Sequence, residues 1–202
     1  MKQKKFIHGP LQDYIYALSQ GNAAPGGGSA VALAGACACA CALMAVQFAL
    51  QSKKTAAKRR HLERTKKFFL LKRTFFLAAV DRDIALYNTY DALRKRVKRE
   101  PRLAKRYQRA VNNIIDIQYE LVLAALESQK HLMGLYDTIS KQLMADLEVA
   151  FFLFIASTEG GIKNCILNLT FLNDAQSVHA VKQRLIKLFL RKNALYKMMR
   201  RF

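Results

Sequence analysis

From Ala30 to Val46 there is no charged residue, in a chain of 202 residues where Lys and Arg number 34 against 14 Asp and Glu. An uncharged stretch of that length in so basic a chain has to be covered by something. It consists largely of Ala, Gly and Cys, which gain little from lipid, and it falls short of the ~20 residues of a bilayer span. The expectation is a central helix whose small side chains let neighbouring backbones come near, in the middle of a bundle or at a dimer interface. Directly before it stands Ala24-Pro25-Gly26-Gly27-Gly28-Ser29. Three glycines permit positive φ and close approach to a ligand, and Ser29 is a good N-cap. Free N–H groups at such a helix start suit a carboxylate or phosphate; a purely structural turn is the other reading of the same residues.

Breakers are scarce elsewhere, with 3 Pro and 9 Gly in all, so the periodicity of apolar residues can be followed over long segments. Helices are expected over 11–18, with Gly21 as its stop, over 29–51, over 53–98 up to the break at Glu100-Pro101, and over 102–132 with Gly134 as the stop. A fifth runs from about Thr138 to Leu169, and a sixth spans 175–202, its part from 182 to 202 a basic C-terminal helix. There is no sustained alternation of period two, no fixed repeat and no linker. The chain therefore reads as one all-α domain over 1–202, a single up-and-down helical bundle.

The net charge of +20 names a class of partner: nucleic acid, an anionic membrane or a polycarboxylate ligand. The cations concentrate from Lys53 to Arg73 and from Lys182 to Arg201, the latter interleaved with Phe189 and Tyr196; plain solvated faces are the alternative. Cys37, Cys39 and Cys41 alternate with alanine, and with Cys165 they read as reduced, buried small side chains of a cytoplasmic protein. His8, His61, His131 and His179 are scattered, so neither their spacing nor that of the cysteines is that of a metal site.

With so few acids, those in apolar surroundings stand out. Asp81 and Asp83 follow an apolar run, and Asp83 precedes Tyr87 by four residues, which places acid and phenol on one helix face. Asp146 lies between Leu143-Met144-Ala145 and the block Val149 to Ala156. Desolvation would raise the pKa of such a carboxyl toward neutrality, where it can carry protons; each could equally be a buried acid paired with a lysine. Asn164 and Asn168, also four apart, would present two amides to one ligand edge or bond helix to helix.

Taken in order, Leu11 to Leu18, Pro25-Gly26-Gly27-Gly28-Ser29 with Ala32-Leu33-Ala34-Gly35-Ala36, Val80-Asp81-Arg82-Asp83 to Tyr87-Asn88, Ala145-Asp146, Glu159-Gly160 and Asn164 to Asn168-Leu169 resemble the formiminotransferase-cyclodeaminase C-terminal domain family. That family also holds stand-alone methenyltetrahydrofolate cyclohydrolases, and the likeness runs from about Leu11 to Lys187. The resemblance implies an all-helical homodimer that binds a one-carbon tetrahydrofolate derivative as substrate, without a metal. By position it gives Asp83 and Asp146 the proton-transfer roles. Asn164, Asn168 and Tyr87 would bind the substrate, and Pro25, Gly26, Gly27, Gly28 and Ser29 would close over it. The chain departs from the family at Ala24, where Thr is usual, and at Ala145, where Ser is. A second expectation, of another class, is a family member without catalysis whose basic faces bind nucleic acid or an anionic membrane.

Overall fold

The computed structural model describes residues 5–53 and 55–199; of the basic C-terminal helix expected over 182–202, the last three residues lie outside them. Six α-helices follow one another: α1 (Leu11–Leu18), α2 (Gly27–Gln51), α3 (Ala56–Val97), α4 (Ala104–Met133), α5 (Met144–Leu169) and α6 (Ala175–Met199). Short 3-10 turns precede α1, α4 and α5. The all-α expectation holds, and the boundaries follow the breakers. Thr55 caps α3, its side chain accepting from the Lys58 N–H, Pro101 opens the turn into α4, and Gly134 is the C-cap of α4.

The bundle proper is α2 to α5. The central helix α2 packs on α3 and α5, and α4 closes the ring against the same two; α6 lies outside against α4 and α5. Small residues make the close approaches possible. A Cβ at Gly35 would stand 2.4 Å from the Phe76 ring, one at Gly160 2.7 Å from Val31, and one at Gly161 2.6 Å from Val122. Around α2 the core holds Ala32, Ala38, Cys39, Leu43 and Val46 with Phe69, Phe76 and Phe154; a second cluster gathers Tyr90, Ile114, Ile115 and Cys165 with Leu185 and Leu188 of α6. By length and composition α2 could cross a membrane, but 61% of its most apolar window is buried inside the bundle.

Three expectations need correction. The helix after the glycines begins at Gly27 with Gly26 as its N-cap, so Ser29 sits within the first turn, buried. No glycine among the described residues has positive φ; of the three in the turn, Gly28 is the one that answers a need for space. The fifth helix begins at Met144 instead of 138. Leu135, Ile139 and Leu143 repeat at helical spacing, yet the backbone there turns twice, Thr138 and Ile139 donating to the Leu135 carbonyl and Leu143 to that of Ser140.

Candidate active site

The N-terminus of α2, the middle of α3 and α4, and the C-terminal end of α5 converge on a cavity of about 220 Å³. Its wall is made by Ala23, Ala24, Gly26, Gly27 and Gly28, by Asp83 and Tyr87, by Ile114 and Gln118, and by Asn164, Leu167, Asn168 and Phe171. That volume is below the ~300–1,000 Å³ of pockets enclosing a drug-sized ligand, so a larger molecule would project from the mouth.

Asp83 is the chemical centre of the cavity. The side chain is 7% exposed, and Gln118 Nε2 donates to its Oδ1 at 2.6 Å. The backbone N–H of Ser29, in the first turn of α2, also donates to it. Both donors favour the ionised form, but burial outweighs them and pushes the carboxyl up from 3.8 to about 6. The orientation of Gln118 is fixed in turn, since its Oε1 accepts from Asn164 Nδ2 at 3.2 Å. Acid, amide and amide thus form a chain across α3, α4 and α5.

Glycine is what lets the acid reach the helix start. A Cβ on Gly28 would lie 2.3 Å from Asp83 Oδ1 and 2.4 Å from Gln118 Nε2, whereas one on Gly27 would meet nothing nearer than Asn164 Oδ1 at 3.7 Å. Ser29 and Pro25 act from behind the wall. Ser29 Oγ donates to the Gly26 carbonyl at 2.8 Å, and the Tyr14 hydroxyl of α1 completes the bond set at 3.0 Å. Pro25 is buried and joined to Ala24 by a cis peptide bond.

Tyr87, Asn164 and Asn168 reach the cavity as expected, with Asn168 buried. Asp146 does not join them. It is half-buried in the first turn of α5, near Cys41 of α2. At 1.5 Å per residue it stands about 27 Å along α5 from Asn164. Asp81, two residues from Asp83 and thus about 200° around the helix, instead accepts the Phe6 N–H at 2.9 Å. Gln118 was not anticipated. Its signal lies in register: it falls on the stripe of Ile114 and Leu121, a polar side chain at a core position. Among the described residues no group of His, Cys, Asp or Glu is close enough to hold a metal.

Fold and site together define a helical-bundle protein with a buried carboxyl held against the start of its central helix. The family model of formiminotransferase-cyclodeaminase matches residues 10–187, and the chain belongs to that family, whose enzymes act in folate metabolism. A crystal structure of formiminotetrahydrofolate cyclodeaminase from Thermotoga maritima has the same fold, with a TM-score of 0.83 at 19% identity, over 94% of this chain and 93% of that one. No curated protein sequence matches the chain.

Proposed function

We propose that the chain transforms a one-carbon tetrahydrofolate derivative at the Asp83 cavity, 5-formimino- or 5,10-methenyl-tetrahydrofolate, by acid–base catalysis. The observation that carries this reading is a buried carboxyl at the edge of an open cavity, held by Gln118 and pushed by burial up to about 6. Both reactions ask for a group that takes a proton and gives it back at a neighbouring atom. In the deamination, N10 attacks the carbon of the protonated formimino group, Asp83 takes the N10 proton and returns it to the departing nitrogen, and the C–N bond breaks with loss of ammonia, leaving the methenyl cation. In the hydrolysis, water adds to the methenyl carbon and loses a proton to Asp83. The carbonyl then forms as the bond to N5 breaks; N5 receives that proton, and the remaining hydroxyl proton is released to solvent, which balances the loss of the methenyl cation's charge. Gln118 and Ser29 hold the carboxylate in place, while Tyr87, Asn164 and Asn168 supply polar edges to orient the ring. The same reading includes a dimer through the outer face of α2, and a cytoplasmic setting.

The test is a spectrophotometric assay with methenyltetrahydrofolate, followed by loss of the cyclic chromophore, with formiminotetrahydrofolate and ammonia release in parallel. Asp83→Asn should lower kcat by about 10²–10⁴ while leaving folate affinity largely intact. In the unmodified protein kcat/KM should rise with pH through about 6 and level off above, because the ionised form is the base. Folate turnover that survives in Asp83→Asn refutes the role; no binding of either folate refutes the substrate class.

A further inference from the structure

The first turns of α3 carry a charge pattern that works against their own helix. Lys58, Arg59 and Arg60 fall where the peptide dipoles already leave positive potential and acids are preferred, and no acid is present there. Arg60 and Arg64 repel one another four residues apart, and the one acid of this stretch, Glu63, stands at the same spacing from Arg59 and Lys67. Elsewhere the chain spends its few acids on pairing: Glu127 holds Lys72, Glu120 Arg82, Asp91 both Arg94 and Lys95, Glu100 both Arg96 and Arg102, Asp116 Arg184 and Glu159 Lys192. Among the described residues no cation from Lys58 to Lys67 has an ion-pair partner. Arg59, Arg60, Arg64 and Lys67 border a shallow, open groove along the surface of α3 itself, which also holds Ala56 and Glu63; Arg59 donates to the Leu50 carbonyl at 3.4 Å.

We propose that this groove binds the phosphate backbone of nucleic acid without regard to base sequence, a function independent of the Asp83 cavity, which lies about 24 Å further along α3. Between the cations the exposed apolar side chains are small, Ala56 and Ala57, and Leu62 is buried; Leu70 and Leu71, 36% and 74% exposed, come three and four residues after Lys67, past the end of the row. A membrane surface would need apolar groups to insert between the cations, and base recognition would need an exposed aromatic face. Phe68, the nearest ring, is half-buried and stacked on His131. What the groove offers is guanidinium and ammonium groups over about 12 Å, enough for several phosphates at 3.4 Å of duplex axis each. The basic tail differs, for Phe189 and Tyr196 turn inward, with Lys192 over both rings.

Fluorescence anisotropy of the full chain with a labelled mixed-sequence duplex, from about 50 to 200 mM KCl, tests the proposal. Two variants remove equal charge: Arg59→Gln/Arg60→Gln/Arg64→Gln/Lys67→Gln in α3, and Lys182→Gln/Lys187→Gln/Arg191→Gln/Lys197→Gln in α6. The α3 variant should lose at least about tenfold in affinity, with a log K against log salt slope shallower by up to about 4, near 0.9 for each cation lost. The α6 variant should stay within a few-fold of the parent. Equal losses in both would assign binding to overall charge and overturn the groove. So would no duplex binding at the lowest salt, or sedimentation with phosphatidylglycerol vesicles that depends on the four α3 cations while duplex binding does not. Circular dichroism checks that each variant is helical. Should the quadruple α3 variant fail to fold, Arg60→Gln and Arg64→Gln singly should each reduce the slope by about 1.

Discussion

Burying Asp83 works against folding at neutral pH. With its carboxyl at about 6 in the fold against 3.8 when exposed, the folded chain binds more protons than the unfolded one between those values. Stability on this account is greatest below about pH 4, falls as pH rises, and above about 6 is lower by about 3 kcal/mol, at 1.36 kcal/mol per unit. Asp83→Asn should therefore resist urea better than the parent at pH 8, and the advantage should vanish by pH 4. An unchanged difference between the two pH values would show that burial does not set the titration of this group. Gly28 supplies a second residue-scale expectation. An added methyl there strikes the Asp83 and Gln118 side-chain ends, while at Gly27 it makes ordinary contact. Gly28→Ala should abolish folate turnover and leave the helical signal intact, whereas Gly27→Ala should stay within a few-fold of the parent in kcat/KM.

At the scale of elements, the small-residue surface of α2 sets how near its neighbours come. The ring of Phe76 lies where a Gly35 side chain would be and is fully buried, so it has nowhere to swing. Gly35→Ala gains helix propensity but overpacks the core, at a cost of typically 1–3 kcal/mol; the net result should be a lower melting temperature. A higher one would mean that α2 and α3 slide apart freely. This packing was legible in the sequence because an uncharged Ala, Gly and Cys run in a basic chain has few places to go. The ends of α3 and α4 were legible from Pro101 and Gly134, residues whose chemistry is local. The start of α5 was not, since Leu135 and Ile139 are buried as helix periodicity demands although the chain between them is turned. Part of the site shared that fate. Asp83, Tyr87, Asn164 and Asn168 stand on their helices at readable spacings, but Gln118 acquires its role from where α4 crosses α3. Asp146 was misplaced because a sequence pattern fixes the face of a helix and says nothing of which end meets the cavity.

For the molecule as a whole, +20 charges on each copy oppose self-association, and the outer face of α2 offers a contact that sets no two cations against each other. Cys37, Ala40, Met44 and Phe48 are exposed along it with no charge in the helix, and Val149 and Phe152 of α5, 51% and 67% exposed, extend the patch. A twofold contact presents the same patch from both copies, and Cys37 and Ala40 are small enough for two helices to cross closely. Light scattering after size exclusion should give a dimer for the parent chain and a monomer for Ala40→Arg, which sets two cations face to face. Salt should strengthen the dimer, because screening weakens repulsion between the copies while leaving an apolar contact in place. Gly28 and Cys37 are nine residues apart, half a revolution of the helix, so the face offered to a partner is opposite the face that meets Asp83. Monomeric Ala40→Arg should accordingly keep its turnover per subunit. A parent chain that is monomeric at every concentration would refute the interface, and a monomer without activity would mean that the second copy shapes the cavity through α2.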